Sequence, residues 1–215
     1  IYINLMKIIS IEGNIGSGKS TFVEQLKLKI KDEKICFLEE PVDVWNTIVD
    51  KEGITILENY YKDNKKWAFS FQMMAYISRL SILKKAIESN IYEIIITERS
   101  LYTDKHVFCQ MLYDNDLIED LEFTIYNKWF EEFNILQDIQ YIYLKTNPEV
   151  SYERVMKRSR TGEKIPLSYL INCSDYHDKW LSNEKVIIID ANVENTYENV
   201  CEWINIIYGI IYGLI

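Results

Sequence analysis

Short runs of β-branched and other apolar residues recur along the chain, separated by longer segments of mixed polarity. The runs have the length and composition of buried strands, and we place them at residues 7–11, 35–38, 94–97, 139–144 and 186–189. Two of the longer segments, 19–31 and 67–89, have the length of helices, and the second carries apolar residues near helical spacing. This alternation predicts an α/β fold with a central parallel five-stranded sheet flanked by helices. No repeat, Gly/Ser linker or low-complexity run is present, which favours a single domain over residues 1–215.

The first predicted strand leads into a glycine-rich segment, although the chain has only seven glycines in 215 residues. Residues 13–20 read Gly-Asn-Ile-Gly-Ser-Gly-Lys-Ser, which matches the pattern G-x-x-x-x-G-K-[ST] of a phosphate-binding P-loop. In such a loop, backbone N–H groups surround a phosphate, the lysine reaches the β- and γ-phosphates, and the serine binds Mg²⁺. The alternative is a glycine-rich turn without a ligand, but the flanking strand and helix favour the P-loop. The predicted ATP-binding residues of this segment are Gly13, Asn14, Ile15, Gly16, Ser17, Gly18, Lys19, Ser20 and Thr21.

Two acidic motifs close the second and third predicted strands, at the edge of the sheet where α/β proteins bind ligands. Glu40, in the sequence Glu-Glu-Pro, could accept a proton from an attacking hydroxyl group as a general base. Glu98 and Arg99, in the sequence Glu-Arg-Ser, could hold Mg²⁺ and neutralise phosphoryl charge. A solvated strand end and an ordinary surface ion pair are the respective alternatives.

A cluster of cations follows the fourth predicted strand, with five lysines and arginines in eleven residues. Arginine's planar guanidinium suits phosphate oxygens, so this segment predicts a lid over a polyphosphate at about residues 154–166. A solvated helix face paired with neighbouring glutamates is the alternative. The cations are Arg154, Lys157, Arg158, Arg160 and Lys164.

The charge and cysteine content narrow the class of protein further. The chain has 24 Lys and Arg against 33 Asp and Glu, so its formal net charge of −9 argues against a nucleic acid polymer as a partner. Its four cysteines show no CxxC pairing and predict reduced thiols in a cytoplasmic protein. The apolar segment 203–215 is too short to span a bilayer, so no membrane association is expected.

Taken in order, these motifs resemble the deoxyribonucleoside kinases, and specifically the branch that contains deoxycytidine and deoxyguanosine kinase. The resemblance runs from residue 7 to about residue 181 and rests on five short motifs. They are the P-loop, Glu40-Pro41-Val42 followed by Trp45, the stretch 61–67 leading into Phe69-Ser-Phe-Gln72, Glu98-Arg99-Ser100, and Arg158-Ser-Arg160 followed by Ile165-Pro166-Leu167.

The resemblance implies a P-loop kinase fold and transfer of the γ-phosphoryl group of Mg²⁺-bound ATP to the 5′-hydroxyl of a deoxynucleoside, in nucleotide salvage. It implies that Glu40 takes the hydroxyl proton, that Arg99 lies between this base and the phosphoryl group, and that Glu98 helps Ser20 to hold Mg²⁺. The lid would contribute Arg158 and Arg160, with Arg154 on the helix that enters it. A homodimer built through long helices is also expected.

The resemblance further implies which residues bind the nucleoside. Tyr61 and Glu163 would bind the 3′-hydroxyl, and the base would lie among Trp45, Phe71 and Gln72, with the two aromatic rings sandwiching it.

One residue pair bears on the choice of base. Arg79 follows Gln72 by two helical turns, so both share a face of one predicted helix, and Asp104 could orient Arg79 against the base. In the family this pair resembles the deoxycytidine and deoxyguanosine kinase branch, which predicts deoxycytidine and purine deoxynucleosides over thymidine. A structural ion pair unrelated to specificity is the alternative.

Two other activities remain open from the sequence: a thymidine or broad-specificity deoxynucleoside kinase, and a nucleoside monophosphate kinase. An acceptor that already carries phosphate needs extra cations at its own site. The acceptor end instead offers Glu39, Glu40 and Asp43, which favours a neutral nucleoside.

Overall fold

The computed structural model describes residues 6–134, 138–158, 163, 165–193 and 197–213. Its centre is a five-stranded, wholly parallel sheet in the order β2-β3-β1-β4-β5. This confirms the predicted α/β architecture, and the observed strands differ from the predicted ones by at most one residue at their ends. They are β1 (Lys7–Glu12), β2 (Ile35–Leu38), β3 (Ile94–Glu98), β4 (Ile139–Lys145) and β5 (Val186–Asp190).

Helices connect the strands and cover the sheet. The long helix expected at 67–89 begins earlier, at Asn64, because the Asp63 side chain accepts a hydrogen bond from the Lys66 N–H and caps it. The helices are α1 (Lys19–Lys29), α2 (Val42–Asn46), α3 (Ile56–Lys62), α4 (Asn64–Glu88), α5 (Leu101–Thr103), a π-helical segment (Asp104–Cys109), α6 (Gln110–Asp114), α7 (Asp120–Phe133), α8 (Pro148–Arg158), α9 (Leu167–Leu181) and α10 (Tyr197–Ile211).

The alternation of side chains along β1 explains why both faces of the sheet are covered. Ile8 packs into a cluster with residues of α4 and α7, whereas Ile9 and Ile11 pack into a second cluster with residues of α1 and α10. Edge-to-face packing of Phe22 on Trp203, with ring centroids 5.7 Å apart, joins α1 to α10.

The strand order determines where the chemical groups meet. Because β1 lies between β3 and β4, the segment after β1 is adjacent to the carboxyl end of β3, and β2 ends beside β3. The P-loop motif and both acidic motifs follow these neighbouring strand ends, so the sheet brings them to one edge.

Candidate active site

The P-loop joins β1 to α1 through backbone conformations that favour glycine. Gly13 has a φ of 147°, and a Cβ added there would lie 2.7 Å from the Leu144 carbonyl oxygen and 2.7 Å from Ser17 Oγ. Gly18, at φ 96°, precedes the first residue of α1. The loop therefore delivers the positive end of α1 to the site, as a phosphate group requires.

Lys19, the first residue of α1, is buried in this loop. Its Nζ donates a hydrogen bond of 2.6 Å to the Asn14 carbonyl oxygen. Burial, followed by the nearby charge of Arg99, lowers the pKa of Lys19 to about 7, while Glu98 and Glu40 raise it. An incoming phosphate would offset this desolvation and favour the charged ammonium group.

Ser20 and Glu98, the predicted magnesium ligands, are already in contact. Ser20 Oγ donates a hydrogen bond of 2.8 Å to Glu98 Oε1, so a hydroxyl and a carboxylate oxygen converge beside the P-loop. Within the described ranges, no three His, Cys, Asp or Glu side chains form a group able to hold a metal ion. A pair of oxygen ligands fits Mg²⁺, which usually keeps water and substrate phosphates as its remaining ligands.

Glu40 lies between two buried guanidinium groups. Its Oε1 accepts a hydrogen bond of 3.0 Å from Arg79 Nη2 and one of 2.9 Å from Arg99 Nη1. Burial alone would raise the pKa of this carboxyl, but Arg99, Arg79 and Lys19 lower it to about 2. Glu40 is therefore a fixed anion at neutral pH.

The Arg79–Asp104 pair is part of this same charge network. Arg79 Nε donates to Asp104 Oδ2 at 2.9 Å, and its Nη1 donates to the Glu98 carbonyl oxygen at 2.7 Å. Both side chains are 3% exposed, so neither can turn toward solvent. The pair thus fixes a buried cation that touches Glu40 and lines the same cavity as Gln72.

Arg99 has a left-handed backbone, with a φ of 62°. Such a conformation is uncommon for a residue with a side chain and recurs at functional sites. Its N–H donates to the Ile11 carbonyl oxygen at 3.0 Å, while its buried Nε has no hydrogen-bond partner in the described part of the chain. This turn directs the side chain back toward Glu40.

A cavity of about 450 Å³ joins these groups to an apolar compartment. Gln72 lines it, and its buried Oε1 finds no hydrogen-bond partner among the residues that the structure describes. The predicted site residues around the cavity are Ile15, Gly16, Gly18, Lys19, Ser20, Thr21, Glu40, Trp45, Tyr61, Phe71, Gln72, Arg79, Glu98, Arg99, Asp104, Arg154, Arg158 and Glu163.

The structure does not show the gap that the expected sandwich of a base between Trp45 and Phe71 would need. The two ring centroids lie 5.5 Å apart at an interplanar angle of 76°, so the rings touch edge to face and leave no parallel gap. Phe71 also stacks on Tyr60, with centroids 4.7 Å apart. The aromatic residues therefore form one continuous wall of the cavity.

Phe108 is a lining residue that none of the sequence motifs predicts. It is on the π-helical segment, four residues after Asp104, and the Arg99 guanidinium carbon lies 5.1 Å from its ring centroid. A signal for it was available, because residues four apart on a helix share a face, so a helix that places Asp104 at the site also brings Phe108 there. Tyr60 and Tyr169, whose hydroxyl oxygens are 3.2 Å apart, also line the cavity.

The remaining P-loop and lid residues occupy different places. Gly13, Asn14 and Ser17 are not among the residues that line the cavity. Arg158 forms two hydrogen bonds with Glu163, at 2.6 and 3.2 Å. Arg160 lies outside the described residues.

Arg154, on α8, connects the P-loop to the segment after β5. Its guanidinium donates to the Ser17 carbonyl oxygen at 3.5 Å and to the Val193 carbonyl oxygen at 2.8 Å. Arg154 also lines the cavity, so it combines contact with the P-loop and access to a bound anion.

These features together define a P-loop phosphotransferase: a parallel sheet with a P-loop after its central strand, a serine–carboxylate pair and converging arginines. The family model described as deoxynucleoside kinase matches residues 9–208. The chain belongs to the deoxynucleoside kinase family.

Curated relatives agree with this assignment. A protein of fowlpox virus named probable deoxycytidine kinase is 37% identical over 200 residues, which cover 89% of this chain and 80% of that protein. The deoxycytidine kinase of Bos taurus is 34% identical, with 82% and 75% covered. The mitochondrial deoxyguanosine kinase of Xenopus laevis is 31% identical, with 88% and 78% covered.

Proposed function

We propose that this deoxynucleoside kinase transfers the γ-phosphoryl group of ATP to the 5′-hydroxyl of deoxycytidine and of purine deoxynucleosides, and accepts thymidine poorly. Such a reaction serves nucleotide salvage. The observation that carries the proposal is the fixed cation Arg79, held by Asp104. It lines the same cavity as Gln72, whose amide oxygen has no hydrogen-bond partner among the described residues. The relatives named deoxycytidine kinase and deoxyguanosine kinase support the same choice.

Hydrogen-bond complementarity explains the preference for base. Arginine can only donate, so Arg79 favours an acceptor on the base, such as N3 of cytosine, N1 of adenine, or O6 and N7 of guanine. The amino group of cytosine or adenine can donate to the oxygen of Gln72. Thymine presents the N3–H donor between two acceptors, so its donor would face a cation that cannot turn away.

Glu40 would act on the sugar hydroxyl with Arg99 beside it. A carboxylate with a pKa of about 2 is a weak base, so its main contribution is to accept the hydrogen bond of the 5′-hydroxyl and orient it for attack. In a loose phosphoryl transfer the hydroxyl proton leaves late, when the oxygen has become acidic enough for Glu40 to accept it. Arg99 would then stabilise charge on the transferred group.

We further propose that Mg²⁺ is held by Ser20 and Glu98 together with the donor phosphates. When bound, the ion would neutralise charge on the β- and γ-phosphates. Lys19 would bind the same phosphates, and Arg154 and Arg158 on α8 would approach from the lid side. Arg160 is proposed to join them on the basis of the family resemblance alone.

The sugar would lie near Tyr61 and Glu163, which both line the cavity. Glu163 currently pairs with Arg158. We propose that binding of both substrates exchanges this ion pair, so that the carboxylate turns to the 3′-hydroxyl and the guanidinium to a phosphate. The guanidinium would thus keep an anionic partner, and the carboxylate would accept a hydrogen bond from the hydroxyl.

We also propose a homodimer that forms through the apolar faces of α7 and α4. Four large apolar side chains repeat at four-residue spacing on α7 and are between 41% and 78% exposed: Leu121, Ile125, Trp129 and Phe133. Ile77 of α4 is 43% exposed. A contiguous apolar stripe of this kind is typical of a protein interface.

The proposed setting is a single catalytic domain in the cytoplasm. The described elements pack around one sheet, which supports one domain, and all four cysteines are free thiols, which supports a reducing compartment. None of the helices that the structure describes has both the length and the apolar character needed to cross a bilayer.

The test is a comparison of kcat/KM for deoxycytidine, deoxyadenosine, deoxyguanosine and thymidine, with saturating Mg-ATP. We expect thymidine to be at least about fivefold worse than deoxycytidine, since one mismatched buried hydrogen bond costs about 1–3 kcal/mol. Equal or faster turnover of thymidine would contradict the proposed specificity, while leaving the kinase assignment intact.

A further inference from the structure

Glu12, the last residue of β1, is a fully buried carboxylate outside the cavity wall. Its Oε1 accepts hydrogen bonds from Ser10 Oγ at 2.6 Å and from the Ser100 N–H at 3.1 Å. Its Oε2 accepts one from Thr103 Oγ1 at 2.5 Å. A buried charge is retained only where it is well compensated, so the burial of Glu12 within this network requires an explanation.

The position of Glu12 links the two halves of the candidate site. Gly13, the first P-loop residue, follows it directly in the chain, and Ser100 follows Arg99. Ser100 also caps α5 through reciprocal hydrogen bonds with Thr103. The carboxylate therefore joins the P-loop strand to the start of the helical segment that carries Asp104 and Phe108. The amino-terminal end of a helical segment favours a negative charge.

The same carboxylate restrains the left-handed backbone of Arg99. Three contacts surround this residue: its N–H donates to the Ile11 carbonyl oxygen, its carbonyl oxygen accepts from Thr97 Oγ1 at 2.9 Å, and the next N–H, that of Ser100, donates to Glu12. A conformation of this kind persists only where the surroundings over-determine it. Of the three contacts, the one to Glu12 is the only charged one, and charge-assisted hydrogen bonds are the strongest.

We propose that Glu12 is a positioning residue for phosphoryl transfer: it holds the Ser100 backbone, and so the left-handed turn that aims the Arg99 guanidinium at Glu40. The inference rests on the proposed function, because it gives Arg99 a role in the reaction. Glu12 itself touches neither substrate nor Glu40. Its removal should therefore slow the chemical step more than it weakens nucleoside binding.

The direct test is Glu12→Gln, which keeps the shape of the side chain but replaces the charged acceptor with a neutral amide, so the hydrogen bond from the Ser100 N–H loses its charge assistance. We expect kcat to fall by about 10- to 100-fold, the range found when a residue that orients a catalytic group is changed. The KM for deoxycytidine should change less than kcat, because the hydrogen-bond partners of Glu12 lie outside the cavity wall. Ser10→Ala is the matched control: it removes one hydrogen bond to the same carboxylate but leaves the Ser100 contact, and kcat should change by less than about twofold.

A double-mutant cycle separates positioning from a general structural role. If Glu12 acts through Arg99, then Glu12→Gln should slow an Arg99→Gln enzyme by less than about twofold, although it slows the parent enzyme strongly. If the two losses multiply, or if Glu12→Gln leaves kcat unchanged, the inference is overturned. Rates are expressed per active site, with the folded fraction taken from the amplitude of the unfolding transition.

A second variant keeps the test available if Glu12→Gln does not fold. Thr103→Val retains the side-chain shape but removes the donor to Oε2 and the oxygen that accepts from the Ser100 N–H at 3.2 Å, so both the carboxylate and the Ser100 backbone are less firmly held. Its effect on kcat should likewise disappear in the Arg99→Gln background, and an additive or absent effect would overturn the inference. All rates are compared on whichever nucleoside the parent enzyme phosphorylates. If the parent enzyme phosphorylates none, the proposed function fails, and that result is distinct from a normal kcat in the Glu12 variant.

Discussion

Replacing Glu40 with glutamine removes a negative charge from between two buried guanidinium groups and nearly preserves the shape of the side chain. The Glu40 side chain is 17% exposed and accepts hydrogen bonds from Arg79 and Arg99 at 3.0 and 2.9 Å. Burial raises the pKa of Glu40, but the charges of Arg99, Arg79 and Lys19 outweigh it and lower the pKa from 4.5 to about 2. Because the folded pKa lies below the unfolded one, the charge contributes stability that is complete above pH 4.5 and is lost as the pH falls through about 2.

The pKa difference gives the size of the effect. It corresponds to a contribution of about 3 kcal/mol to the free energy of unfolding at neutral pH. Breaking a buried ion pair by removing one partner costs a similar amount, about 3–5 kcal/mol. We therefore expect Glu40→Gln to lose about 3 kcal/mol in urea unfolding at pH 7, since two like charges then face each other across a neutral amide.

Turnover provides the second readout. Loss of a general base and orienting group should lower the single-turnover rate about 10²- to 10⁴-fold, while deoxycytidine affinity, measured by calorimetry, changes much less. Glu39→Gln is the control, because Glu39 is 58% exposed and pairs with the equally exposed Lys27. This variant should lose less than about 1 kcal/mol and keep its rate. A Glu40→Gln enzyme as fast and as stable as the Glu39 variant would refute the reasoning.

Three further predictions follow from other parts of the structure. Gly13→Ala would place a Cβ 2.7 Å from two oxygen atoms, and it should raise the KM for ATP more than about tenfold. Gly53→Ala is the control: Gly53 has a φ of 78° and open space around it, so the variant should cost only about 1 kcal/mol of stability. His177 is buried, which lowers its pKa from 6.5 to about 3, so the neutral ring stabilises the fold above pH 6.5 and this contribution is lost as the pH falls toward 3. In urea unfolding below pH 6.5, His177→Gln should remove a slope that approaches about 1.4 kcal/mol per pH unit near pH 5. An unchanged slope would count against the assignment. Trp129→Glu should convert the proposed dimer to a monomer in sedimentation equilibrium. Ile91→Glu, at another apolar position that is 62% exposed, should leave the dimer intact. A monomeric parent protein would disprove the dimer.

The sheet could be predicted from the sequence because its signals are local. A buried parallel strand is visible as a short β-branched run. The three glycines and the lysine within residues 13–20 specify the P-loop without reference to distant residues. The same holds for the residues that end β2 and β3, since neighbouring parallel strands present their ends at one edge. Glu40, Glu98 and Arg99 therefore lie together as the motifs predict.

Features that depend on packing between distant elements could not be read in this way. The angle between Trp45 and Phe71 depends on packing among α2, α3 and α4, because Phe71 also stacks on Tyr60 and Trp45 Nε1 donates to Ser78 Oγ. The network around Glu12 joins it to Ser100 and Thr103, which come 88 and 91 positions later in the chain. An isolated glutamate at the end of a strand carries no local sign of such partners, so only the folded chain reveals it.

The central claim is that the acceptor is a nucleoside that carries no phosphate. The most direct measurement is transfer of label from γ-labelled ATP to deoxycytidine and, in parallel, to deoxycytidine 5′-monophosphate, with the products separated by chromatography. Glu40, a fixed anion where the acceptor hydroxyl would lie, predicts labelled deoxycytidine 5′-monophosphate from the nucleoside and little or no labelled diphosphate. Label found only in the diphosphate would contradict the account and identify the enzyme as a monophosphate kinase.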